Sequence, residues 1–120
     1  SCTSSGRVLL ATLPDAELER RLHACPRVQH TGLTVTDVPT LIERIRQVRQ
    51  QGWSLVNQEL EEGLISMAAP LTNRAGQTVA AMNISGQANR TSAEVMQQTM
   101  LPALLQAAHT ISQMLGTRRT

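Results

Sequence analysis

Between residues 38 and 48 the apolar side chains fall at Val38, Leu41, Ile42, Ile45 and Val48. These are the three- and four-residue spacings of a helix that buries one face. Asp37 stands where a carboxylate caps free backbone N–H groups, and Gly52 stands where a helix turns out of its last turn. The pattern predicts a helix over "VPTLIERIRQVRQQ". Two further helices are predicted before it. Val8, Leu9, Leu10 and Leu13 follow a run of hydroxyl residues suited to a helix start. Pro14 opens "PDAELERRLHAC", where Asp15 and Glu17 sit at the positive end, Leu18 and Leu22 form a stripe, and Pro26 stops the helix.

After Gly52 the period changes. "WSLVNQEL" reads as a strand, and "LISMAAPL" and "QTVAAMNISG" are two short apolar runs. Between them "TNRAGQ" supplies Asn73 and Gly76, which a tight reversal requires. An antiparallel hairpin is predicted over residues 64 to 86. Each run is apolar on both faces apart from isolated polar residues, so a sheet covered on both sides is expected. "VQHTGLTV" is expected to add a short edge strand. "TSAE" fits a capping box, with Thr91 as the cap and Glu94 reaching back, ahead of a helix running toward Leu115. Pro102 must kink or divide that helix, and Gly116 ends it. Helices and strands in this order make an α/β (α+β) domain, with helices packed on a partly antiparallel sheet.

Composition narrows the function. The 120 residues are about one domain, and 41% hydrophobic content is enough for a core. There is no Phe or Tyr and a single Trp53, which argues against reading single-stranded nucleic acid by base stacking. The net charge is only +2, and the eleven basic residues, all arginine, are spread along the chain, so no concentrated footprint for duplex DNA is present. Arg44, Arg46 and Arg49 read as a solvated helix face. Cys2 and Cys25 lack metal or redox spacing, and a reduced, cytoplasmic protein is the simplest expectation, with a single disulfide as the alternative. No apolar run approaches twenty residues, so no membrane partner is expected. The start "SCTSSGR", without Met, reads as a fragment or processed piece.

The candidate chemistry is sparse. Ser4, Ser5 and Ser66 are possible nucleophiles and His23, His30 and His109 possible bases, but no G-x-S-x-G elbow occurs. His30 and Cys25 lack two further ligands at metal spacing, and no cofactor is implied. Glu59, Glu61 and Glu62 read as a solvated loop. What remains is a polar set on apolar strands: Ser66 on one, Asn83 and Ser85 on the other, two apart and so on one face. Such groups either bond to backbone and buried water or orient a ligand in an apolar cavity. The hydroxyls of "CTSSG" at a helix start add donors suited to a carboxylate.

"CTSSGRVLLATLPDAELERRL" and "DVPTLIERIRQVRQQGWSLVNQELEEGLISMAAPLTNRAGQTVAAMNISG" together resemble the C-terminal effector-binding domain of IclR-type transcription regulators. The resemblance covers nearly the whole chain, and the "NQELEEGL" form is similar to the branch controlling aromatic-acid catabolism, including the β-ketoadipate pathway. It implies a GAF/PAS-like curved antiparallel sheet flanked by helices. It also implies that residues 1–120 are a partial effector-binding domain, with the first part of the domain and the winged helix-turn-helix that meets promoter DNA absent from this chain. The implied function is sensing of a small organic or aromatic acid to control catabolic genes, without catalysis, in a homodimer or homotetramer. Carried over, the effector site comprises Thr3, Ser4 and Ser5 from the helix start, Asn57, Leu64 and Ser66 from the loop and strand, and Asn83 and Ser85. Some relatives have an acidic residue at 57 and a cysteine at 66, so the ligand itself is left open. An oligomerisation domain without ligand, and a hydrolase using Ser4 or Ser66, stay as alternatives.

Overall fold

A computed structural model describes residues 3–24, 37–59 and 61–117. Its elements run α1 (Ser4–Leu10), α2 (Asp15–Ala24), α3 (Val38–Gln51), β1 (Ser54–Asn57), β2 (Leu64–Thr72), β3 (Thr78–Gln87), α4 (Ala93–Thr99) and α5 (Leu101–Thr117). The segment 28–35, expected as an edge strand, lies outside the described residues, as do Cys2, Cys25, Pro26 and His30.

The strands form an antiparallel sheet in the order β1-β2-β3. The β2–β3 reversal is built as its sequence predicts. The Asn73 side chain accepts hydrogen bonds from the Ala75 and Gln77 N–H groups at 3.0 Å each, and Gly76 takes the left-handed φ of 81°. Asp37 caps α3 by accepting the Thr40 N–H at 3.1 Å, and Gly52 (φ 85°) closes it by donating to the Val48 carbonyl at 2.8 Å.

Two cores sandwich β2. On one side Val8 and Ala11 of α1, Leu18 and Leu22 of α2, and Leu41, Ile45 and Val48 of α3 close over Ala68. On the other, Ile65, Met67 and Ala69 meet Met96 of α4 with Leu104 and Ala108 of α5. The close seating of α4 explains Gly86, where a Cβ would lie 2.9 Å from Met96 Sδ.

Three expectations are revised. The cap of α4 is Ser92, which accepts the Val95 N–H at 3.2 Å, not Thr91. Pro102 divides the last helix as expected, with α4 ending at Thr99 and α5 restarting at Leu101 with proline at its second position, where the missing N–H costs no helical bond, but α5 runs to Thr117 rather than ending at Gly116. β2 is covered on both faces, but β3 is not. Its Asn83, Ser85 and Gln87 are exposed, because α1 and α3 build their core over Ala68 and only Ala81 of β3 joins it.

A polar sheet face fastened by a buried ion pair

In an antiparallel pair, residues directly opposite each other share a face. Ser66 stands between Val56 of β1 and Ser85 of β3, and Ala68 stands between Ser54 and Asn83. Leu64 lies opposite Gln87. Leu64, Ser66, Asn83 and Ser85 therefore share one face, the face on which α1 lies. Ser66 is 9% exposed, and Asn83 and Ser85 are open. Among the described residues, none of these three side chains has a hydrogen-bond partner.

Asn57 is the exception in the sequence-predicted set. Its partner across the ladder is Ile65, so it belongs to the α4–α5 face, away from Ser66. The residue that does flank Ser66 is Val56, 2% exposed, which sequence reasoning missed. Strand parity in "SLVN" depends on which β2 residue each strand position meets, and the segment does not encode that.

The start of α1 is tied to this face directly. The Ser54 hydroxyl, fully buried, donates to the Ser4 carbonyl at 2.6 Å. Thr3, at the N-cap, accepts the Gly6 N–H at 2.9 Å. Ser4 is buried, Ser5 half-buried and Thr3 exposed. Because Ser4 sits against Ser54, while Val8 and Ala11 line a hollow with Pro70 and Thr78, α1 runs along β2 with its first turn toward the Ser66 end.

The loop before β2 is fastened from beneath. Arg7 and Glu59 are 2% and 5% exposed, and their side chains meet through two hydrogen bonds, Nη2 to Oε1 at 2.6 Å and Nη1 to Oε2 at 3.2 Å. Glu59 is thus not part of a solvated loop, although Glu61 and Glu62 are exposed as expected. A buried carboxylate is tolerated when a guanidinium fork satisfies it, and here the fork comes from 52 residues away. The loop is completed by Gln58, a non-glycine residue at φ 59°. Its N–H donates to the Leu64 carbonyl at 2.8 Å, and its Oε1 accepts the Gly63 N–H at 3.1 Å. Arg7 left a signal in the sequence: with Ser4, Val8 and Ala11 it follows the inward spacing of α1.

The candidate catalytic partners are not brought to this face. His23 is exposed on α2, with Glu19 at 3.8 Å, and His109 is exposed on α5, which covers the opposite side of the sheet. Among the described residues, no three His, Cys, Asp or Glu side chains group as metal ligands, and no helix is long and apolar enough to cross a membrane. The resolved pKa shifts sit at the surface. A hydrogen bond from Arg49 lowers Asp15, and hydrogen bonds from Arg20 and Arg21 lower Glu17.

Comparison with known proteins gives a consistent result. Residues 1–113 match the family model described as bacterial transcriptional regulator IclR C-terminal. The Pca regulon regulatory protein of Pseudomonas putida is 42% identical over 107 residues, covering 89% of this chain and 37% of that protein. The p-hydroxybenzoate hydroxylase transcriptional activator of Acinetobacter baylyi is 36% identical, covering 89% of this chain and 40% of that protein. The chain thus spans about two fifths of these relatives' length. A crystal structure of a transcriptional regulator from Rhodococcus sp. RHA1 superposes with a TM-score of 0.92 at 45% identity, over 96% of this chain and 46% of that one. A double mutant of the PobR inducer-binding domain from Acinetobacter, in complex with 3-hydroxybenzoic acid, superposes at 0.88 with 33% identity, over 92% and 63%. These relatives are named as transcriptional regulators, not as enzymes.

Proposed function

This chain belongs to the IclR family of bacterial transcriptional regulators, by its C-terminal domain, and from that premise we propose that residues 1–120 sense a small aromatic or other organic acid. The acid rests on the face shared by Leu64, Ser66, Asn83 and Ser85, with Val56 as an apolar flank and Thr3, Ser4 and Ser5 at the approaching helix start. The observation that carries the reading is the Ser66 hydroxyl. It belongs to a residue 9% exposed on the central strand, between Val56 and Ser85; the hydroxyl is accessible from that face, and no described residue satisfies it. A polar group so placed is stabilised by a ligand oxygen. The hydroxybenzoate complex of the PobR domain and the names of the Pca-type relatives support an aromatic acid.

On this reading the domain does no covalent chemistry. The acid favours one arrangement of a homodimer or homotetramer, and that shift reaches promoter DNA through a part of the protein outside this chain, setting transcription of catabolic genes. A thermal-shift screen of hydroxybenzoates, protocatechuate and keto acids tests it, since a ligand that binds only the native state raises the melting temperature by mass action. One acid that stabilises in a saturable way supports sensing. No shift with any acid leaves the domain an oligomerisation module.

A further inference from the structure

The face that carries Ser66 continues to the end of the sheet. Gln87, the last residue of β3, stands opposite Leu64 and two positions beyond Ser85. Alternation along a strand puts its side chain on the same face as Ser66 and Ser85. Gly86 shows the same parity from the other side, since a Cβ there would meet Met96 of α4. The Gln87 side chain is exposed and has no hydrogen-bond partner among the described residues.

The two directions along β2 differ. Toward Ala68 the strand is closed over by Val8 and Ala11 of α1 together with the apolar side of α3. Toward Leu64 the face opens into a hollow of about 470 Å³, lined by Glu61, Glu62, Gly63, Leu64, Gln87 and Asn89. Small-molecule sites run from roughly 300 to 1,000 Å³, so this end has room for part of a ligand. An acid held at Ser66 therefore extends toward Gln87.

The lining says what that end of the ligand carries. Glu61 and Glu62 are exposed, no described cation pairs with either, and no arginine lines the hollow. A second carboxylate on the ligand is repelled there, whereas a hydroxyl finds acceptors, among them the Gln87 carboxamide oxygen. From Ser66 to Leu64 is two residues, a rise of about 7 Å, roughly the span of a benzene ring with a carboxylate at one end and a hydroxyl at the other.

We propose that Gln87 is a specificity-determining residue of the sensing site, its carboxamide oxygen accepting a hydrogen bond from a hydroxyl that the aromatic acid carries opposite its carboxylate. The assignment rests on the sensing reading and deepens it, by naming a hydroxylated monocarboxylate, not a dicarboxylate, as the ligand class.

The test is calorimetric titration of 4-hydroxybenzoate, benzoate and terephthalate into the wild-type chain, Gln87→Leu and Gln87→Glu. Gln87 is exposed at a strand end, so both replacements leave the core intact. The wild type should bind 4-hydroxybenzoate about three- to tenfold more tightly than benzoate, the worth of one hydrogen bond, and terephthalate more weakly than either. In Gln87→Leu the preference for the hydroxyl should vanish while benzoate affinity holds. Gln87→Glu keeps an acceptor and should keep the preference. A preference that survives in Gln87→Leu, that is missing from the wild type or from Gln87→Glu, or that vanishes only because benzoate binding is lost too, overturns the role of Gln87 and leaves the sensing reading standing. Terephthalate binding as tightly as 4-hydroxybenzoate overturns the ligand class. Binding of none of the three overturns the inference as a whole, and the wider acid screen then decides the sensing reading separately.

Discussion

Replacing Glu59 with Gln should destabilise the domain far more than a surface change of the same size. Both partners of the ion pair are buried, at 2% and 6% side-chain exposure, and they meet end-on through two hydrogen bonds. Glutamine keeps the shape and one acceptor but leaves the Arg7 guanidinium charged, buried and without its counter-ion. Removing one member of such a pair costs about 3–5 kcal/mol. Against a typical native stability of roughly 5–15 kcal/mol, this is a third or more of the total. In a chain of this size it should lower the melting temperature on the order of 10 °C or more. The assay is urea denaturation of the wild type, Glu59→Gln, Arg7→Met and the double variant, giving a full mutant cycle. The double variant should recover part of the loss, since it buries no unpaired charge and leaves only a neutral amide beside an apolar side chain. A loss below about 1 kcal/mol in Glu59→Gln, the range of exposed pairs, would refute the reasoning that Arg7 and Glu59 are desolvated together. A double variant as unstable as the singles would refute the claim that the stranded charge is the cause.

Two further outcomes follow from local contacts. Ser92→Ala should cost about 0.5–2 kcal/mol by removing the cap of α4, whereas Thr91→Ala should cost clearly less; thermal melts of the two variants decide between the residues. Asp15 has its pKa lowered first by its hydrogen bond from Arg49, against partial desolvation, so the stability it contributes is present above the ordinary value of 3.8 and disappears as pH falls through the lower folded value. Asp15→Asn should therefore flatten the acid limb of a stability-against-pH profile in that window while leaving stability at pH values below it nearly unchanged.

Much of the fold was legible because its signals are local. Asp37, the Val38-to-Val48 stripe and Gly52 lie within one segment and specify α3. Asn73 and Gly76 do the same for the β2–β3 reversal. The site was harder to read, because its features are relations between distant segments. Glu59 looks like one of three loop carboxylates until Arg7 is brought beneath it. Asn57 and Val56 differ by one residue, yet the pairing of β1 with β2 sends them to opposite faces. The apolar content of "TVAAMNIS" suggested a strand covered on both sides. The structure covers it on the Met82 and Ile84 side and leaves Asn83 and Ser85 open, because the apolar side chains of α1, which also approaches β3, close over Ala68 and Ala81 instead. Sequence and structure agree on Ser66, whose place on an apolar strand was visible in "LISMAAP" and whose neighbours on both sides the ladder supplies.

The central claim is that an acid is bound on the Ser66 face, and calorimetric titration tests it most directly. The acid that most stabilises the wild type is titrated into the wild type, Ser66→Leu and Asn57→Leu, the last altering the opposite face. The account predicts that Ser66→Leu loses the tight binding event while melting cooperatively, and that Asn57→Leu retains it. Undiminished affinity in Ser66→Leu, or loss in Asn57→Leu alone, would contradict it.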